Sequence, residues 1–392
     1  MTESIPPLLD CLTDLQKAVD EIANTWRPDD PAYRADVYRQ IMMQLSYGYF
    51  AFFHATPEHP DWAPLWNPVY TLQPNPDDIY LYCPISSDYS YRISGNRGTV
   101  KMITFNTQLS LSGMPWDNDT TGSHYHDLDD RDLQIAANGD FEILLSRTRP
   151  AGHTGNWLQI APAARVLMTR YRSYDWETEI DPVMAIECLS PVSLKPRLSP
   201  EDILERIRHM AAMPVRSTKL FYGMQNAVKA SVGVNVFEPV RYGGALSRQV
   251  YLPAVFELAA DEALILETEL PSVRRYWNFQ LNDPYFNAIE YVYRLSSTNG
   301  HFAKLSSDGR FRAVIALTDP GVPNWLDPAG FTEGTIYGRW YDCDSTPTPT
   351  LTRVKLAELR AHLPADTPVV TPDERAAELR RRVRAAQRRR RW

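Results

Sequence analysis

The chain has 392 residues, 44% of them hydrophobic and 23% charged, an ordinary balance for a globular protein and long enough to bury a substantial core. Its net charge of −7 hides a basic end, where nine arginines follow Asp373 against Asp373, Glu374 and Glu378, so the rest of the chain is acidic and general nucleic-acid affinity is not expected. No run approaches the roughly 18 apolar residues of a membrane span. The four cysteines have no metal or redox spacing, and the N-terminus does not read as a signal peptide, so the expectation is a cytoplasmic protein with reduced thiols.

Apolar residues recur at helical spacing through Leu8, Leu12, Leu15, Val19 and Ile22. They do so again through Tyr38, Ile41, Met42, Leu45, Tyr49 and Phe52, before Pro57 and Pro60 end the pattern. From Asn67 to Gly98 short runs (Tyr70 to Leu72, Ile79 to Cys83, Ser90 to Ser94) alternate with turn signals and predict a hairpin meander. Asp77 and Asp78 would ordinarily cap the turn between two of these runs, and as adjacent carboxylates they are also candidates for a cation or for acid–base work.

Residues 101–111 and 141–144 read as further strands, the second entered through an Asn138-Gly139-Asp140 turn. Between them lies Ser123 to Asp130. On a strand His124 and His126 point the same way, so with Asp127 they are candidate metal ligands. Asp127-Leu128-Asp129-Asp130 also resembles the DxDD general-acid motif of class II terpene cyclases. A solvated acidic loop is the ordinary reading, and neither a metal nor an organic cofactor is expected. Strands at 155–160 and 164–171 follow. Arg170, near a strand end, can clamp a ligand carboxylate or phosphate bidentately, or pair internally with Asp175.

Ser190 to Arg197 reads as a linker. Ser199-Pro200-Glu201-Asp202 then starts a helix to about Ala212, and a second runs from Val215 to Ala230 after Pro214. Strand patterning resumes at Val250. In Tyr276-Trp277-Asn278-Phe279-Gln280-Leu281 aromatic and apolar residues alternate with polar ones, so one face should be buried and the other wet or lining a cavity. Ser307-Asp308-Gly309-Arg310 is a hairpin turn signal before the strand-like Phe311 to Leu317. Pro320 and Pro323 then stiffen a loop that carries Asn324, Trp325 and Asp327. Leu351 to Leu363 reads as helical, and Thr371-Pro372-Asp373-Glu374 caps a last helix whose arginine-rich end reads as frayed and solvated.

Tyr276-Trp277-Asn278-x-Gln280-Leu281 and Asp319-Pro320-Gly321-x-Pro323-Asn324-Trp325-Leu326-Asp327 resemble the signature region of the DUF1214 family. The resemblance is good over 250–340 and looser at 75–98, through Asn75, Pro76, Asp77 and Tyr80, and at 156–176, through Arg170, Asp175 and Trp176. The N-terminal half is loosely similar to DUF1254. The resemblance implies jelly-roll-like sandwich domains and no settled chemistry.

Pattern and resemblance together give a mainly β (α+β) expectation. It comprises an N-terminal helical segment (1–60), a first antiparallel β-sandwich (61–190), a helical connector (191–245), a second, DUF1214-like sandwich (246–345) and C-terminal helices with the basic tail (346–392). Aromatic walls beside a few fixed polar groups suit a small-molecule site. The functional expectation is a cofactor-free enzyme of the hydrolase, lyase or isomerase class. It would hydrolyse, hydrate, cyclise or isomerise a terpenoid, steroid or lipid-like substrate by Asp/His chemistry. Its candidate catalytic residues are His301, Asp327 and Asp319. Its candidate substrate contacts are Tyr276, Trp277, Asn278, Gln280, Asn299, Asn324, Trp325, Arg170 and Tyr80. The alternative is a non-catalytic sandwich protein that binds a small apolar ligand or assembles into homo-oligomers.

Overall fold

The computed structural model describes residues 8–23, 30–114, 124–242 and 246–389. Three helices, α1 (Leu8–Cys11), α2 (Thr13–Ala23) and α3 (Pro31–Phe53), precede β1 (Ala63–Leu65), β2 (Asp78–Pro84), β3 (Tyr91–Asn96), β4 (Met102–Gln108), β5 (His124–Asp129), β6 (Asp140–Ser146), β7 (Asn156–Gln159), β8 (Val166–Arg172) and β9 (Val183–Cys188). After α4 (Pro200–Val232) come β10 (Gln249–Glu257), β11 (Glu262–Thr268), β12 (Arg274–Asn282), β13 (Ser297–Asn299), β14 (Phe311–Ile315), β15 (Trp325–Leu326), β16 (Glu333–Cys343), β17 (Thr350–Lys355) and α5 (Pro372–Arg388).

The fold is mostly β with helices at its periphery, and its sheets pair into two sandwiches. The first has an inner sheet β1-β2-β8-β4-β5 and an outer sheet β7-β6-β3-β9; the second has an inner sheet β10-β16-β12-β13 and an outer sheet β15-β14-β11-β17. Ile79, Ile93, Ile103, Phe105, Ile143, Leu158 and Leu167 fill the first core. Leu252, Phe256, Leu264, Trp277, Phe279, Phe311, Ile315 and Trp340 fill the second. Among the described residues no helix is long and apolar enough to cross a membrane.

The two inner sheets face each other, which explains the alternation on β12. Trp277, Phe279 and Leu281 enter the second core, as period 2 requires. Tyr276, Asn278 and Gln280 are equally buried, because they meet the first sandwich and the loop before β2, and Asn282 is buried beside them on Gln280 and Thr335. That face is therefore a polar layer sealed between two sandwiches rather than a wet surface.

Four local expectations are corrected. The helical pattern from Ser199 does not stop at Pro214, because α4 is one helix with Pro214 buried inside it. Ser199 and Asp202 form its capping box. Residues 350–355 are a strand against β11, and only 356–362 coil, as a 3-10 turn, so the second sandwich extends past residue 345. Tyr70 to Leu72 is no strand, since Trp66, Tyr70, Leu72 and Gln73 all take positive φ, from 47° to 61°.

The basic helix is docked rather than frayed. Arg375, Arg382 and Arg389 are seven residues apart and so share one face. Arg375 pairs with Asp319 at 2.8 Å, Arg382 donates to Tyr291 O and Ser297 Oγ, and Arg389 reaches Pro76 O at 3.3 Å. Arg390 and Arg391 lie outside the described residues.

Candidate functional site

The junction between the inner sheets is built from β2, β8, β12 and β16. Arg172 grips Asp78 through two bonds, Nε to Oδ1 at 2.5 Å and Nη2 to Oδ2 at 2.7 Å, and donates Nη1 to Gln249 across the junction at 3.1 Å. Burial works against the Asp78 charge, yet the Arg172 guanidinium holds the carboxyl below its usual range. Asp77 is the reverse case. Its oxygens accept from Tyr276 Oη (2.5 Å), Asn299 Nδ2 (2.7 Å) and Trp176 Nε1 (2.8 Å), but burial still pushes its carboxyl up. Asn75 completes the cluster, donating to Tyr276 Oη and accepting from Asn278 Nδ2, each at 2.9 Å. Arg339 on β16 donates to Gln280 at 2.7 Å and Gln73 at 2.9 Å.

Beside this layer, between both inner sheets and α4, lies a pocket of about 130 Å³. Leu72, Leu111, Met168, Phe221 and Met224 give it apolar walls, Trp66, Tyr80, Tyr242 and Tyr251 aromatic ones, and Gln73, Gln108, Ser110, Arg170 and Arg339 polar ones. The lip is the positive-φ stretch from Trp66 to Gln73. Such backbone in non-glycine residues costs on the order of 1–3 kcal/mol each and persists only where the surroundings hold it. Here Asn67 binds Asp78 O and Tyr80 N, Thr71 binds Gln44 and Asn287, and Gln73 binds Arg339. Arg170 is 6% exposed, with its guanidinium 5.4 Å from the Tyr80 ring centroid. Three buried polar atoms of lining residues have no hydrogen-bond partner: Trp66 Nε1, Ser110 Oγ and Arg170 Nε.

Of the candidate catalytic and substrate-contact residues, Tyr80 and Arg170 line this pocket. Arg170 does not pair with Asp175, which instead binds Glu177 N and Thr178 and faces His301. Tyr276, Asn278, Gln280 and Asn299 join in the sealed layer. Trp277 is packed against Phe311 and Trp340 inside the second core.

The three candidate catalytic groups are not brought together. His301 is half-exposed, its Nε2 3.6 Å from Asp175. Asp327 binds Arg294 at 2.7 Å and the Ala329 amide at 2.8 Å. Asp319 is held by Arg375. Asn324 takes φ 54° and donates to the Lys304 and Arg312 carbonyls, and Trp325 donates to Ala316 O beneath the Arg375 guanidinium. These are the bonds of a braced loop.

At the DxDD sequence, Asp129 and Asp130 both bind Arg275, and Asp130 also binds Arg97, so this pair ties the sandwiches together. Asp127 is exposed near Ser247. The His124 side chain and Ser123 lie outside what is described. Among the described residues no group of three or more His, Cys, Asp or Glu is placed to hold a metal ion.

Sequence reading missed Trp66, Gln73, Gln108, Ser110, Tyr242, Tyr251 and Arg339. The alternation Tyr337-Gly338-Arg339-Trp340-Tyr341 on β16 was the available signal, because it writes a second polar-aromatic face like that of β12. No glycine marks the left-handed turns of 66–73, so the lip had no signal at all.

Fold and site together define a two-sandwich protein with a small aromatic pocket at a buried polar junction. Residues 88–176 match the family model described as "Protein of unknown function (DUF1214)". The match falls in the first sandwich, whereas the motifs that carry the resemblance at 250–340 lie outside it. Among solved structures, that of an uncharacterised protein from Burkholderia cenocepacia is similar over 89% of this chain and 96% of that one, at 28% identity and a TM-score of 0.82. The VPA0106 protein from Vibrio parahaemolyticus aligns over 88% of this chain and 100% of that one at 11% identity, with a TM-score of 0.44. No curated protein matches the sequence.

Proposed function

We propose that this protein binds a small, largely apolar molecule in the pocket between its two sandwiches. One observation carries the reading: a single aromatic-lined pocket is walled by Arg170, a buried guanidinium with no carboxylate partner among the described residues, beside the polar side chains of Gln73, Gln108 and Ser110. A buried charge without a counter-charge is costly, and a ligand that supplies acceptors to the guanidinium relieves that cost. A mostly apolar hollow with a few fixed polar groups is the usual form of a small-molecule site. The strained lip over 66–73 supports the same reading. Acid–base catalysis by His301, Asp319 and Asp327 has less support, because none of the three lines the pocket and two of them are tied to arginines.

The test is native mass spectrometry of the protein as purified, followed by thermal-shift screening with one-ring compounds. A bound molecule or a stabilising compound is expected, and Met168→Trp, which fills the pocket, is expected to abolish the effect with an unchanged circular dichroism spectrum. A ligand found instead in the groove of about 700 Å³ that Pro323, Asn324 and Val370 form with Arg375 and Arg381 of α5, with Met168→Trp inert, would remove the reading.

A further inference from the structure

Three buried guanidiniums crowd the junction, from Arg170, Arg172 and Arg339, exposed by only 6%, 1% and 2%. Arg172 is neutralised by Asp78. Among the described residues neither Arg170 nor Arg339 has a carboxylate at ion-pairing distance. Arg339 is satisfied by the neutral acceptors Gln280, Gln73 and Asn278. Arg170 makes only a 4.0 Å contact from Nη2 to Met168 Sδ and leaves Nε without a partner. A buried charge normally has a counter-charge, because taking an unpaired ion out of water is costly. Asp77 does not supply one, since its oxygens are committed to Tyr276, Asn299 and Trp176. The pocket wall therefore carries a buried Arg170 guanidinium with no carboxylate at ion-pairing distance among the described residues, the Asp78 charge acting on it only from farther away.

We infer that the pocket's ligand is a small monocarboxylate with a flat apolar body about one ring in size, its carboxylate held by Arg170. The inference rests on the pocket being a ligand site and adds the chemical class. The two Nη atoms of a guanidinium form a planar fork that matches the two oxygens of a carboxylate, and in Arg170 the only contact of that edge among the described residues is the 4.0 Å approach of Nη2 to Met168 Sδ. Gln73 and Gln108 are further polar side chains in the same lining. Tyr80, Tyr251, Met168 and Phe221 offer ring faces and soft apolar surface for the body. Size sets the limit: a cavity of about 150 Å³ in another protein takes one benzene ring, and this pocket holds about 130 Å³.

Calorimetric titration of the full chain with sodium benzoate and with benzyl alcohol, its uncharged counterpart, tests this. Benzoate is expected to bind at least about tenfold more tightly, the scale of one charge-assisted bidentate contact. Arg170→Gln is expected to weaken benzoate about 10- to 100-fold and leave benzyl alcohol unchanged. Arg170→Lys keeps the charge without the fork, guards against a misfolded Arg170→Gln, and is expected to fall between the two. Equal affinity for both probes, or benzoate binding indifferent to both variants, overturns the carboxylate assignment while the pocket stands. Inorganic phosphate displacing benzoate at equal concentration overturns it as well. Neither probe binding, together with Met168→Trp having no effect on any ligand, removes the pocket itself.

Discussion

The Arg382 guanidinium lies 4.6 Å from the centroid of the Trp176 ring. Trp176 belongs to the first sandwich's segment, while the same guanidinium donates to Tyr291 O at 2.5 Å and Ser297 Oγ at 2.7 Å in the second. One side chain of α5 thus spans both sandwiches, and the basic helix fastens them.

Arg382→Met is accordingly expected to destabilise the protein by about 2–4 kcal/mol, less than the sum of a partly desolvated cation–π contact and two hydrogen bonds to a charged donor, because methionine keeps part of the packing and has no charge to bury. Arg382→Lys should recover only part of this, because an ammonium cannot stack and donate in that geometry. Urea unfolding measures both, and a loss below about 0.5 kcal/mol for Arg382→Met would show that α5 merely rests on the surface.

Asp78→Asn leaves Arg172 charged, buried and without its bidentate partner. Breaking such a pair from one side costs about 3–5 kcal/mol. Because the Asp78 carboxyl sits below its usual range, the pair's contribution is present above the unfolded pKa and fades as pH falls toward the folded value. The difference between wild type and Asp78→Asn should therefore be large at neutral pH and shrink in strong acid. An acid-independent difference contradicts this account of the junction.

Much of the fold was legible because its signals are local. The capping boxes at Ser199 and Thr371 sit where the residues place them, and the alternation on β12 gave a two-faced strand. What covers the polar face was not legible, because Tyr276 meets Asp77 across 199 positions of sequence. The lip was hidden for a different reason: Trp66, Tyr70, Leu72 and Gln73 are held left-handed by tertiary bonds, not by intrinsic preference. The loop 319–327 is a different case. A stiff loop with Trp, Asn and Asp reads as a site, and the structure binds those side chains to neighbouring backbone and Arg294.

Gly300 marks a close approach that any side chain would spoil. A Cβ there would collide with the Tyr174 hydroxyl and the Trp277 indole, and Trp277 is locked in the second core. Gly300→Ala should cost about 3 kcal/mol or more, in the range of overpacking a dense interior. Thermal unfolding and near-ultraviolet circular dichroism of the tryptophans report it, and wild-type values for both would mean that the turn moves aside freely.

Asp283 offers a pH test with the opposite sign to Asp78. It is 4% exposed, and its Oδ1 accepts from the Tyr285 and Asn287 amides at 2.9 Å. Burial, only partly offset by these bonds, pushes its carboxyl up to about 6 from an ordinary 3.8. The folded protein therefore keeps this proton longer than the unfolded chain does. Stability from this group is fullest below about pH 4, falls as pH rises to 6, and is level above, a loss of roughly 3 kcal/mol. Asp283→Asn retains an oxygen for the two backbone amides and has no charge to bury. Relative to wild type it should gain stability progressively between pH 4 and 6 and hold that gain at pH 7. Urea unfolding of both proteins at half-unit steps measures the difference directly. A constant offset between the two curves would mean that Asp283 titrates as an ordinary exposed carboxylate does, and that the α3 side of the molecule is wetter than its packing implies.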